Sequence, residues 1–230
     1  MSRSVLFDTE TTGLDPMAGD RVIEIAALEL IGDLPTGKRF HKFVHPGRDI
    51  AEDAIRVHGI TLDQLKDAPL FDEVADALLE FLGDGPLIAH NAAFDFSFLN
   101  AEFSRLGRPS LPADRMVCTL ELARQKFPGL PNSLDALCRR FGIDLSERTT
   151  HNALLDCRLL ADVYVELTGG RQRGLMLDAD GQVALPVIAY AAVGPREPRL
   201  IVPTAAELAA HAAFITRING ALWNIDASAA

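Results

Sequence analysis

Ser4-Val5-Leu6-Phe7-Asp8-Thr9-Glu10-Thr11-Thr12-Gly13 is the stretch on which the reading of this chain turns. Four apolar or small residues lead straight into two acids set two apart, and a turn cluster, Thr11 to Pro16, follows at once. The apolar run reads as a short buried strand. Period-two alternation then puts the Asp8 and Glu10 carboxylates on one face of it. Delivering paired acids from a buried strand is costly unless something cationic neutralises them.

Working outward, Arg21 to Leu30 is rich in β-branched residues and reads as a second strand, Arg39 to His45 as a third and Pro86 to His90 as a fourth. Helical spacing covers Phe71–Leu82, Phe94–Leu106, Thr119–Phe127, Ser133–Phe141 and His151–Leu167. Strands first, then helices interleaved with strands, predict an α/β fold, a mixed sheet flanked by helices.

The 230 residues suit one ordinary domain with an appendage. A 48% apolar and 23% charged composition is that of a globular protein and excludes a disordered, collagenous or disulfide-stapled chain. Three cysteines without C-x-x-C spacing read as reduced, packed thiols in a cytoplasmic setting. No apolar run approaches the roughly 18–20 residues of a membrane span, and the start lacks the apolar core of a secretory signal, so no membrane partner is expected.

The formal charge of −10 is unevenly spread: residues 1–170 carry 17 Lys and Arg against 27 Asp and Glu, and residues 171–230 carry 5 against 5. An acidic body is a poor electrostatic trap for nucleic acid. Chemistry on nucleic acid would need metal ions to invert the local sign, or a partner to hold the substrate.

Two further elements carry acids: His90-Asn91-Ala92-Ala93-Phe94-Asp95, which follows a strand, and Thr149-Thr150-His151-Asn152-Ala153-Leu154-Leu155-Asp156. The second places a histidine and an acid about one and a half helical turns apart. Taken singly, each acid is a cap or turn residue and His151 a helix-start residue. Together, four carboxylates on three elements form an all-oxygen donor set suited to Mg²⁺ or Mn²⁺ rather than zinc.

In this order the motifs resemble the DEDDh family of 3′→5′ exonucleases, and the pattern is most like its branch of proofreading (epsilon) subunits of bacterial DNA polymerase III. Val57-His58-Gly59-Ile60, Phe127-Pro128-Gly129, Asn132 to Cys138 and Leu167-Thr168-Gly169-Gly170 extend the likeness over residues 4–170. The resemblance implies a ribonuclease H-like fold and two divalent ions, Mg²⁺ or Mn²⁺. Asp8 would bridge both, Glu10 and Asp156 would complete the first site, and Asp95 would support the second directly or through water. His151 would be the general base, its ordinary pKa near 6.5 suiting the task. Asp8, Glu10 and Asp156, the Thr9 backbone, Asp53 and His58 would meet the DNA 3′ end, and nucleoside 5′-monophosphates would leave.

The catalytic domain is expected to span 1–170, a linker 171–203 and a docking segment 204–230. The linker holds five glycines and four prolines if counted from Gly169 to Pro203, although Gln182 to Val193 is too apolar for an ordinary one. Gln172, Leu175 and Leu177 resemble the short motif by which replication proteins bind the sliding clamp (beta), with Leu177 where an aromatic is common. Thr204-Ala205-Ala206-Glu207 is a capping box. Leu208, Ile215, Ile218 and Leu222 then form a narrow apolar seam. With Trp223, this end resembles the tail that anchors such subunits to the polymerase alpha (catalytic) subunit. The localisation implied is a cytoplasmic, nucleoid-associated replisome.

Two other signals fail. Gly32 to Lys38 is one residue short of a P-loop and Arg39 stands where a Ser or Thr would bind metal. His41 and His45 lack the glutamate of a zinc-protease motif. Two rival functions stay open: an RNA 3′-exonuclease with the same acids, which lacks reason for a 60-residue appendage, and a non-catalytic scaffold between polymerase and clamp.

Overall fold

The computed structural model describes residues 2–148, 150–169 and 202–219. The first two ranges belong to one compact unit and the last to a second. In the first unit a five-stranded sheet is built from β1 (Arg3–Thr11), β2 (Val22–Ile31), β3 (Leu34–Phe43), β4 (Leu87–Ala89) and β5 (Met116–Cys118). The order is β3-β2-β1-β4-β5. β1 to β3 pair antiparallel, whereas β4 runs parallel to β1 and to β5. Parallel neighbours need long crossovers, and helices supply them. α1 (Glu52–His58), α2 (Leu62–Leu65) and α3 (Phe71–Leu82) lie on the way to β4 and α4 (Ala92–Arg105) joins β4 to β5, while α5 (Thr119–Lys126), α6 (Leu134–Phe141) and α7 (Ala153–Leu167) follow the last strand.

β1 is central and covered on both faces, so its side chains divide between two cores. Val5 and Phe7 join Phe71, Leu78, Phe98 and Phe103 from α3 and α4. Leu6 joins Leu137, Cys157 and Leu160 from α6 and α7. The same alternation carried on along β1 sets Asp8 and Glu10 on the Leu6 side, the side that α7 covers. The ladder with β2 stays in register through Glu10 and shifts only at Thr11.

The mixed sheet flanked by helices agrees with the sequence reading, with local differences. β3 starts at Leu34, five residues before the expected strand, because Gly32 and Asp33 both take positive φ (60° and 68°) and turn the chain directly back on β2. The rejected P-loop pattern is this hairpin and its return strand. β5, α1 and α2 were not expected; at three, seven and four residues they are too short to show a period. α4 begins at Ala92, where Asn91 turns the chain at φ 62°. α7 begins at Ala153, so His151 precedes the helix and its Asn152 N-cap instead of lying in the first turn.

In the second unit, α8 (Ala205–Ile215) opens on the expected box: Glu207 N–H donates to Thr204 Oγ1 at 3.3 Å and Thr204 N–H to Glu207 Oε2 at 2.7 Å. The helix ends at Ile215, so Ile218 lies in a turn rather than on a continuous seam. The segment Thr216 to Gly220, with two β-branched residues, Asn219 and glycine, has low helix propensity. Leu208 and Ile218 are exposed and Ile215 is buried. Gln172, Leu175, Leu177, Leu222, Trp223 and the stretch from Gln182 to Val193 lie outside the described residues. Among the described residues, no helix is long and apolar enough to cross a membrane.

A buried ion pair ties the start of β2 to α4. Glu102 is 1% exposed and accepts from Arg21 Nε at 2.7 Å and Nη2 at 2.8 Å, from Arg105 Nη1 at 3.2 Å and from Val22 N–H at 3.3 Å. Removing Arg21 takes away the two shortest of these bonds and leaves the buried Glu102 to the longer contacts from Arg105 and Val22. Arg21→Ala is expected to destabilise the protein by about 3 kcal/mol, read as a lower urea midpoint at unchanged m.

Candidate active site

The C-terminal end of β1, the α4 and α7 N-termini and α1 surround a cavity of about 1380 Å³ lined by Asp8, Thr9, Glu10, Asp53, His58, Asp95, His151 and Asp156. Every residue that the sequence assigned to metal, base or 3′ end is in this lining. Asp8 and Glu10 come from one face of β1, as alternation requires. Asp95 comes from the first turn of α4 and Asp156 from the first turn of α7, where the positive end of a helix dipole favours a carboxylate.

Crowding shows in the acid–base properties. Burial and then Asp95, Glu10 and Asp156 hold the Asp8 carboxyl well above the usual carboxylate range. Burial, Glu24 and Asp156 push Glu10 up to about 8. Asp95 is pushed up to about 7 by burial, although Thr9 N–H (3.0 Å) and Thr9 Oγ1 (2.7 Å) both donate to its Oδ1. Those bonds commit both Thr9 donors to Asp95. Asp156 alone moves down: burial opposes its ionisation, but hydrogen bonds from Arg148 and His151 outweigh it.

The donor set fits a divalent cation. One ligand atom each from Glu10, His151 and Asp156 lies within 4.8 Å of the others, and the raised carboxyls around them are what a bound cation would draw back to their charged form. His151 is half-exposed; its Nδ1 is 3.3 Å from Asp156 Oδ2, and its own N–H donates to the Val57 carbonyl at 3.2 Å. That bond links the histidine's loop to α1, which carries His58. His58 is 5% exposed. Its Nδ1 accepts from Ile60 N–H at 3.0 Å, so the proton is on Nε2, which lies near the Thr11 backbone without completing a hydrogen bond. Asp53 is exposed and pairs with Arg56.

Sequence reasoning missed three neighbours. Glu24 is cross-strand from Glu10 and wholly buried. It accepts from His41 Nε2 at 2.7 Å, Asn152 Nδ2 at 3.1 Å and Ala153 N–H at 3.3 Å, and so fixes the start of α7. Arg148 forks onto Asp156 and also reaches Asp135 and His151. In sequence, Glu24 is one acid within an apolar strand and Ser146-Glu147-Arg148 an ordinary polar loop; only the contacts distinguish them. The turn after β1 is also clamped: Asp20 accepts from Thr12 Oγ1 and Asp15 N–H, both at 3.1 Å, and a Cβ on Gly13 would sit 2.3 Å from its Oδ2.

Because folded Glu10 and Asp95 hold protons that an unfolded chain gives up near pH 4, the native state binds more protons between about pH 4 and 8, and stability falls as pH rises through that window. In EDTA the melting midpoint is expected to be lower at pH 8.5 than at pH 5.5. Glu10→Gln should narrow the difference, and saturating Mg²⁺ should narrow it in the wild type; thermal scans check both.

Residues 5–164 match the profile of the RNase_T family, described as an exonuclease. The chain is 46% identical over 222 residues to the DNA polymerase III subunit epsilon of Rickettsia felis, covering 94% of this chain and 96% of that one. To the DNA polymerase III subunit epsilon of Escherichia coli K12 it is 39% identical over 227 residues, covering 93% and 92%. Among solved structures it resembles Exonuclease X in complex with 5′ overhanging duplex DNA, with TM-score 0.57 and 27% identity over 71% of this chain and 90% of that one. The nuclease domain of 3′hExo, a DEDDh family member bound to rAMP, shares the fold at TM-score 0.60 and 21% identity, covering 75% and 95%. Matched through its sheet and all the helices that flank it, on the ribonuclease H-like fold these nucleases share, the chain belongs to the RNase_T exonuclease family, in its branch of DNA polymerase III epsilon subunits, and is a 3′→5′ exonuclease.

Proposed function

We propose that this chain is the proofreading subunit of a bacterial DNA polymerase III, removing nucleotides from a DNA 3′ end as nucleoside 5′-monophosphates. The observation that supports this most is the convergence of Asp8, Glu10, Asp95, His151 and Asp156 on one open cavity. Two divalent ions, Mg²⁺ or Mn²⁺, would be held by Asp8, Glu10 and Asp156 with Asp95 in support, and when bound supply a polarised water and a clamp on the phosphate oxygens.

His151 takes the proton of the attacking water. Giving Nδ1–H to Asp156 Oδ2 leaves the Nε2 lone pair to accept it. Water adds to phosphorus, the bond from phosphorus to the preceding 3′ oxygen breaks, and the shortened strand keeps that oxygen as its new hydroxyl. The terminal nucleotide is bound by the unsatisfied Nε2–H of His58 and, at the rim, by Asp53, while Thr9, whose donors are held by Asp95, lines the cavity beneath it. A frayed end enters the cavity more readily than a paired one, since pairing and stacking must be broken first.

The acidic first 170 residues provide little DNA affinity of their own, so holding the duplex falls to the polymerase. Residues 171–203 act as the linker, with Gln172, Leu175 and Leu177 engaging the sliding clamp. Residues 204–230 dock on the alpha subunit through Leu208, Ile218, Leu222 and Trp223, Ile215 being buried instead of facing outward with them. Exposure of Leu208 and Ile218 supports such docking. The setting is the cytoplasmic, nucleoid-associated replisome.

The deciding experiment is digestion of 3′-mispaired DNA, with single-stranded RNA alongside, by wild type and Asp8→Ala. Metal-dependent release of deoxynucleoside monophosphates, lost in the variant and faster from the mispaired end, is expected. Preference for RNA would make the chain an RNA-trimming enzyme, and no hydrolysis would leave the scaffold. His151→Ala is expected to lower kcat by about 10²- to 10⁴-fold with little change in melting temperature. Deleting residues 201–230 should spare cleavage of a short oligonucleotide and abolish co-elution with the alpha subunit.

A further inference from the structure

Arg148 is the cation built into this site. Its side chain is 9% exposed, and its guanidinium forks onto Asp156, Nε to Oδ1 at 2.6 Å and Nη2 to Oδ2 at 2.7 Å. Nη1 donates to Asp135 Oδ1 on α6 at 2.5 Å, and Nη2 lies 3.0 Å from His151 Nδ1 and 3.4 Å from Nε2. Asp156 and His151 are two of the three residues whose donor atoms gather closely enough to hold an ion. The guanidinium therefore sits on both oxygens of Asp156, at least one of which a metal ion would need.

We propose that Arg148 is a positioning residue that holds Asp156 and His151 as an internal counter-cation until a divalent ion takes Asp156 over, with Asp135 retaining the guanidinium at the rim. The proposal rests on the metal-dependent reading of the site given above.

Three observations carry it. A fork of two charge-assisted hydrogen bonds is a strong contact, and an ion drawing on Asp156 must weaken or displace it. Asp135 offers the displaced guanidinium a second seat: it already bonds Nη1, and its own side chain is 38% exposed and so stays solvated. Finally, Nη2 lies 3.0 Å from His151 Nδ1, the same nitrogen that stands 3.3 Å from Asp156 Oδ2, so the guanidinium and the carboxylate compete for it. Proton uptake at Nε2 is served by the tautomer with Nδ1–H facing Asp156 Oδ2. Withdrawal of Arg148 thus frees a metal ligand and favours the base-competent histidine in one movement. Without an ion, the same contacts keep the His151 loop against α6 and α7.

The test titrates Mn²⁺ into the full chain without DNA, reading free Mn²⁺ by its electron paramagnetic resonance signal. Wild type, Arg148→Met, Arg148→Lys and Asp8→Asn are compared. Removing the competing fork is expected to tighten Mn²⁺ binding about tenfold in Arg148→Met. Arg148→Lys, which keeps charge but cannot fork, should fall between it and wild type. If Arg148→Met does not fold, the lysine variant decides by the same sign. Mn²⁺ binding in the variants no tighter than in wild type, while Asp8→Asn abolishes it, would overturn the role of Arg148 alone. Failure of wild type to bind Mn²⁺, or indifference to Asp8→Asn, would overturn the metal reading beneath it.

Discussion

Repulsion among carboxylates that the fold forces together is the constraint on which the rest of this structure depends. Asp8 and Glu10 cannot be moved apart, because they continue a strand that is buried on both faces. Asp95 and Asp156 cannot retreat either, since each sits in the first turn of a helix packed on that strand. The site responds by raising the proton affinity of Asp8, Glu10 and Asp95 and by placing Arg148 on Asp156. A divalent cation held among them would let all four ionise, so that its binding would relieve a repulsion already present in the folded chain.

Around that stress lies a rigid frame of polar contacts. Glu24 reaches from β2 to the Asn152 side chain and the Ala153 N–H, fixing where α7 begins and hence where Asp156 and the preceding His151 fall. Arg21 and Arg105 on Glu102 hold α4 to the start of β2, and Asp20 stiffens the turn that follows β1. These groups set the cavity's geometry from beneath and from the sides without being part of its donor set. The His151 loop is held by Arg148 and by the Val57 carbonyl.

The charge distribution divides the labour. An acidic body with locally concentrated negative charge is suited to cutting one phosphodiester under metal control and unsuited to gripping a duplex. An extension of zero net charge with a capped helix and exposed leucine and isoleucine is suited to protein contact. On the docking proposed above, separating the two tasks on one chain would let the nuclease stay weak on paired DNA while tethering raised its effective concentration at the primer end.

Much of the site was legible in sequence because its elements carry strong local signals. An apolar run ending in Asp-x-Glu can be a buried strand delivering acids with a fixed period, and α7 announces itself by an apolar stripe. The sheet, its flanking helices and the five central residues follow from such local physics together with the family resemblance. The sequence was silent about β5 and α1, whose lengths hold too few residues for a period, and about the β3 start, which two positive-φ residues decide. It misplaced His151 by assigning it to a helix that the Asn152 cap begins one residue later. Glu24 and Arg148 escaped entirely. A buried glutamate 14 residues from Glu10 and a loop arginine eight residues before Asp156 acquire their meaning only when strand pairing and loop closure bring them within 3 Å of their partners. Sequence by itself determined which chemical groups the chain carries and which elements deliver them. Tertiary structure alone decided how those groups share charge, because electrostatic coupling depends on distance and burial, and neither exists until the chain has folded.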